Sequence, residues 1–321
     1  MKIARGIGIA VLLLSGSAVA QDGGKVIPKT TISLGTATPG GGFPVYGAAF
    51  AETVNEVEPT LSIQPRNTRG STENIPLIEA GQLDIALVTG EPLYEAVNGI
   101  GRAPAKLTLI TAMYSTPGMF VVRADSPHRS IADLLGKPVA FGAKGSGLVI
   151  LARYVLDGLG YDMEKDFQAV YLERAGDGPT MVQDGRVAAL WGGGSGWPGF
   201  AAMAGSAGGA RFIAPDAAQV ARIVARHGLL KPMTIPAGSY AGQSSPIASV
   251  GSWAFVIAKP SLADDAAYRL ARALNRGEAA LAKRLPQAAE TTSANTVAAA
   301  PRADLIHPGA QRYLKEAGLL R

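Results

Sequence analysis

The sequence has 321 residues, 17% of them charged, a formal net charge of +5 and no cysteine. The missing thiols exclude disulfides, iron–sulfur clusters, cysteine zinc sites and thiol nucleophiles. The mild charge, without any run of basic residues, speaks against nucleic-acid or membrane-surface binding, which needs a clustered patch.

The first twenty residues have the form of a cleavable secretory signal: basic Lys2 and Arg5, an apolar run Ile7–Leu14, and Ala18-Val19-Ala20 before polar Gln21. That run is shorter than the ~20 residues of a bilayer span, so an uncleaved anchor is the weaker alternative. Cleavage near Gln21 leaves a periplasmic chain with 28 basic and 25 acidic residues, a net +3, and no stable membrane insertion is expected. The 301 residues beyond the signal suit two domains on a soft prior of about 150 residues each.

Thr31–Thr36 reads as a strand, followed by the loop Gly40-Gly41-Gly42 and a helix over Val45–Val57. Leu61–Arg66 is a second strand. Ser71 can cap a helix that Gly81 stops, and Leu83–Val88 is a third strand. Strand–helix alternation with short connections predicts a parallel sheet with crossover helices.

Leu107–Met113 and Met119–Val122 read as two strands around Tyr114–Gly118, and Ser130–Leu135 as a short capped helix. Pro138–Phe141 is a strand, and Gly142–Gly147 leads into a helix over Leu148–Leu159. Strand Ala169–Leu172, helix Pro179–Asp184 and strand Val187–Trp191 lead to the loop Gly192–Gly196, then to helix Pro198–Ala204. Strand Arg211–Ala214 and helix Ala217–His227 complete this second unit. Ile235–Tyr240 and Gln243–Pro246 are loop-like. Ile247–Ile257 is a long β-rich segment. Helices are expected over Leu262–Asn275, Ala279–Leu285 and Ala310–Ala317.

Two such units predict an α/β protein with two lobes and a two-crossing hinge: residues 21–120 and 250–321 in lobe 1, 121–249 in lobe 2. All three glycine clusters then lie at carboxyl ends of strands, where open α/β sheets bind ligands. Glycine turns ahead of helices present free N–H groups and a positive helix end to an anion. The candidates are Gly41, Gly42, Gly145, Ser146 and Gly147, with Ser71 and Arg69 at the entrance of the second helix. Arg69 can grip a carboxylate; its replacement by Ala is expected to weaken an anionic ligand by roughly 1.5 kcal/mol. Phe43, Tyr46, Tyr114, Trp191, Trp197 and Tyr240 would wall the pocket.

Catalytic patterns are lacking. His128, His227 and His307 have no metal spacing. Ser146 and Ser195 lack the Gly-x-Ser-x-Gly frame, and no Walker or Gly-x-Gly-x-x-Gly pattern occurs. No cofactor, metal or enzymatic activity is therefore expected.

Several motifs in order carry a family resemblance: Gly70–Ile75, Gly81–Ala86, Gly136–Val139, Gly142–Gly147, Ile235–Tyr240 and His307–Tyr313. Together they resemble the TAXI family of solute receptors, which serve tripartite ATP-independent periplasmic (TRAP) transporters. The resemblance implies a type II periplasmic binding fold, two lobes that close over a ligand, and delivery to a TRAP membrane permease. It points to amino acids such as glutamate and to other organic anions. The sequence departs from the family at Phe43–Tyr46, where a Tyr pair is usual. It departs again at Leu148, where Thr follows Gly-Ser-Gly, and at Arg69, where Gly is usual. One wall is thus more apolar and another gains a cation, which narrows the expected ligand to a small carboxylate. The rival readings are a receptor for an ATP-driven (ABC) importer, a periplasmic sensor, or an enzyme on the same bilobal fold.

Overall fold

The computed structural model describes residues 29–320; the signal segment lies outside the described residues. Alternating apolar runs and glycine turns fold as β1 (Thr30–Gly35), α1 (Gly42–Val57), β2 (Leu61–Arg66), α2 (Ser71–Glu79) and β3 (Ile85–Thr89). Next come α3 (Gly90–Asn98), β4 (Thr108–Arg123), β5 (Pro138–Ala143), α4 (Gly147–Leu159) and β6 (Gln168–Leu172). The chain continues through α5 (Gly178–Gln183), β7 (Ala189–Gly193), α6 (Pro198–Ala204), β8 (Ala210–Ile213), α7 (Ala217–Arg226), β9 (Lys231–Ile235) and β10 (Ile247–Ala258). It ends with α8 (Asp264–Arg284), α9 (Ser293–Ala299) and α10 (Pro308–Glu316).

The strands run in the order β2-β1-β3-β10-β4-β7-β5-β6, with β8 on β4 and β9 on β10. In the first half, β1 pairs parallel with β2 and β3, and in the second β5 pairs parallel with β6 and β7. Between them, β4 and β10 run antiparallel from Thr108↔Ala258 to Gly118↔Val250. The start of β4 thus belongs with the first half and its end, paired with β7 and β8, with the second. Every residue of β3 and β7 is buried, as expected of parallel strands covered on both faces. One core layer joins the first half to α1 and α8 through Phe50, Val54 and Leu270. Its counterpart in the second half centres on Phe120, Phe141 and Trp191 beneath α4.

The structure departs from the sequence pattern at four places. The expected strands Leu107–Met113 and Met119–Val122 are one strand, β4. Pro117-Gly118 reads as a turn, yet it stays extended against β10, where a Cβ on Gly251 would lie 2.2 Å from the Thr116 carbonyl oxygen. The helices expected over Leu262–Asn275 and Ala279–Leu285 are one helix, α8. Gly277, in the gap between the two expected helices, is where α8 approaches α1, and a Cβ there would meet Thr53 at 2.7 Å. The helix expected over Ser130–Leu135 is a single 3-10 turn, Ala132–Leu134. The pattern also predicts no element over α3, β9 or α9; each carries a Pro or polar residues that imitate a loop, and tertiary packing overrides them.

Candidate functional site

A cavity of about 50 Å³ lies between the two halves. Its walls come from the β1–α1 loop, the start of α2, the ends of β3, β5 and β7, the middle of β4, and the start of α4. These are carboxyl ends of parallel strands, where crossover helices leave a crevice.

The helices α1, α2 and α4 aim their N-termini here through Gly42, Ser71 and Gly147. The first N–H groups of a helix have no intrahelical partner. Among the described residues, the N–H groups of Gly42, Phe43, Ser71 and Gly147 donate no hydrogen bond. Neither α1 nor α4 has an acidic residue in its first turn, so the positive helix ends stay uncompensated.

Contact between α2 and α4 is close. A Cβ on Gly147 would lie 2.0 Å from Thr89 Oγ1 and 2.7 Å from Ser71 Oγ. Thr89 is 3% exposed, and its hydroxyl has no hydrogen-bond partner. At the other end, a Cβ on Gly42 would lie 3.5 Å from the Tyr114 hydroxyl and 3.9 Å from Trp197 Nε1. Burial and the neighbouring Tyr46 and Glu290 push Tyr114 far above the ordinary phenol range, so it stays a neutral donor.

The halves touch around the cavity. Thr72 N and Oγ1 donate to Gly145 O at 3.2 and 3.0 Å, and Gly176 N donates to Pro39 O at 3.4 Å. An ion pair joins Arg153 on α4 to Glu95 on α3.

A family model described as the NMT1-like family matches residues 34–318. The chain belongs to the NMT1-like family. The NMT1-like chain is also similar in fold to a solved periplasmic transporter, with a TM-score of 0.58, 16% identity, and coverage of 91% of this chain and 99% of that one. A protein of Bordetella bronchiseptica RB50 matches with a TM-score of 0.52 and 15% identity over 91% of this chain and 90% of that one. The substrate-binding protein of an amino acid ABC transporter matches with a TM-score of 0.50 and 13% identity over 80% and 98%. The fold is therefore the bilobal type II periplasmic-binding-protein fold, its two α/β lobes joined by β4 and β10.

In this NMT1-like fold, Gly41, Gly42, Phe43, Arg69, Ser71 and Tyr114 line the cavity from one lobe. Ser146, Gly147, Trp191 and Trp197 line it from the other. Tyr46, Gly145 and Tyr240 stand behind it. Tyr46 is wholly buried, its hydroxyl 3.2 Å from Thr291 Oγ1 and its ring centre 5.5 Å from that of Tyr114. Tyr240 accepts the Trp197 N–H at 3.0 Å and donates to Gly194 O at 2.5 Å, which fixes the Trp197 backbone. Trp191 donates its indole N–H to Leu148 O at 2.8 Å, so it offers the cavity only its ring.

Two expectations change. Ser71 is not the cap of α2: Gly70 holds that position at φ +114°, a conformation that favours glycine. Ser71 Oγ instead accepts the Thr89 N–H at 3.2 Å. The Arg69 side chain is 80% exposed, and its Nε lies 3.8 Å from Glu73 Oε1. It stands at the rim, the only charged residue on the lining among the described residues.

Sequence reasoning missed Thr89, Thr116 and Phe141. Thr89 ends β3 and Phe141 lies near the end of β5, so the strand-end rule applied to every strand would have found both. Thr116 sits inside the strand misread as a turn.

Proposed function

We propose that the protein is a non-enzymatic periplasmic receptor that captures a small organic anion between its lobes and hands it to a membrane permease. The observation that carries this reading is the set of unpartnered N–H groups on Gly42, Phe43, Ser71 and Gly147 around one cavity. Peptide nitrogens at converging helix N-termini suit a carboxylate without a counter-charge. The crossing of β4 and β10 between the halves supports lobe boundaries near 120/121 and 249/250. Ligand contacts from both lobes would favour the closed arrangement. Release to a permease requires moderate affinity, on the order of micromolar.

The sequence motifs shared with TAXI receptors support a TRAP permease as the partner. The fold shared with the amino acid ABC transporter protein favours an ABC importer as the second choice. Catalysis lacks support, because among the described residues no histidine, lysine or carboxylate lines the cavity beside Ser71 or Ser146 to serve either hydroxyl as a base. The N-terminal signal supports the periplasmic location. Among the described residues, no helix is long and apolar enough to cross a membrane and no group of three metal-ligating side chains occurs. A thermal-shift screen of small organic acids tests the reading: at least one should raise the melting temperature in proportion to its concentration. A panel that leaves it unmoved rejects an anion receptor.

A further inference from the structure

We propose that the cavity selects a small monoacid without an ammonium group, such as a short 2-oxo, 2-hydroxy or unsubstituted carboxylic acid, and rejects the α-amino acid of the same skeleton. This rests on the anion-receptor reading and sharpens it.

The charge of the cavity lining is one-sided. The backbone nitrogens of Gly42, Phe43, Ser71 and Gly147 offer hydrogens that nothing among the described residues accepts. A carboxylate has two oxygens with about four lone-pair sites and no hydrogen to give. Thr89 Oγ1, buried and without a partner, supplies an independent polar contact at the Ser71–Gly147 end. The Tyr114 hydroxyl and Trp197 Nε1 converge near Gly42, where an oxo or hydroxy oxygen beside the carboxylate would be received.

An ammonium is the opposite case, with three donors and no acceptor. No aspartate or glutamate is among the described residues that line the cavity, and the α1 and α4 ends that point into it carry no acidic residue in their first turns. Glu91, two residues beyond Thr89, is fully buried and not part of the lining. Burial pushes its carboxyl up to about 7, so it is a poor counter-ion. An α-ammonium would therefore enter without a charged partner, at a large desolvation cost. Of the remaining walls, Thr38, Thr116 and Ser146 carry hydroxyls already bonded to Ala175 N, Ser252 O and Leu148 N, while Phe43, Phe141, Leu148, Trp191 and Trp197 are apolar, and a cavity of about 50 Å³ admits only a short body.

Calorimetry on the mature chain tests this with matched skeletons: propanoate, pyruvate and lactate against alanine, and 3-methylbutanoate and 4-methyl-2-oxopentanoate against leucine. The expected result is binding of at least one deaminated acid, with its amino acid weaker by roughly a hundredfold or more. Thr89→Val should weaken that acid about tenfold with an unchanged melting temperature of the unliganded protein. An amino acid that binds as tightly as its deaminated partner overturns the inference and leaves the anion receptor standing. Silence across the whole panel, with glutamate and succinate added, overturns the receptor reading itself.

Discussion

Gly147 shows how little room the site leaves. Its φ is ordinary, so Ala is conformationally allowed, but the added methyl would fall 2.0 Å from Thr89 Oγ1. Gly147→Ala must push α4 away from β3 or turn the Thr89 hydroxyl aside. We expect it to cost about 1–3 kcal/mol of stability by overpacking and to abolish the ligand-dependent rise in melting temperature. Arg69 is a milder case. With its side chain 80% exposed and facing Glu73, solvent screens most of its charge, so the roughly 1.5 kcal/mol expected of a buried grip falls to about 0.5 kcal/mol. Calorimetry on Arg69→Ala should show a loss near twofold, and a loss above tenfold would place the guanidinium on the ligand.

At the scale of elements, Asn74 on α2 ties the carboxyl ends of two strands together. Its Nδ2 donates to Thr36 O and Leu87 O, both at 2.8 Å, in a fully buried position. Asn74→Ala would remove this donor from Leu87 O, leave Thr36 O with only the Thr68 hydroxyl at 3.0 Å, and empty a fully buried volume, together about 2–3 kcal/mol. Chemical denaturation should therefore show a loss above about 2 kcal/mol, whereas Asn98→Ala, an exposed bond to Tyr94 O, should be near neutral.

These elements also show what the sequence could and could not reveal. The strand–helix alternation and the glycine clusters are local signals, so the two α/β units and most of the cavity wall were legible in them. The unity of β4 and of α8 was not, because Pro117-Gly118 and Gly277 are kept regular by strands and helices distant in sequence. The same holds for Tyr46 and Tyr240: an aromatic at a strand or helix end announces burial, not which side of a wall its hydroxyl faces. Arg69 was placed correctly along the chain, but the outward turn toward Glu73 depends on a rotamer that composition cannot fix.

For the molecule as a whole, two buried groups bend its stability in opposite senses with pH. Glu91 is raised to about 7 by burial, so its contribution is complete below the ordinary carboxyl range and is lost as pH rises through about 7. Glu91→Gln should leave the melting temperature near that of the parent at pH 5 and raise it at pH 8, on the order of 3 kcal/mol. His307 is held below the ordinary imidazole range by burial, although its contact with Leu262 O and the nearby Asp264 oppose this. Its contribution is present above that range and is lost as pH falls through the lowered value. In the Glu91→Gln background, the denaturation midpoint should therefore decline from pH 7.5 to 5, and His307→Asn should flatten that slope. Neither group lines the cavity, so both effects should appear without ligand.

Because β4 and β10 remain paired with each other on both sides of the crossing, the lobes share a joint without a free loop. Parting them must be absorbed as extra twist along two laddered backbones, which yields about one soft axis and resists sideways slip. Under the proposed receptor role, the mouth of the cavity would widen and shut like sprung tweezers, each closure bringing Gly145 back to Thr72 and Arg153 back to Glu95.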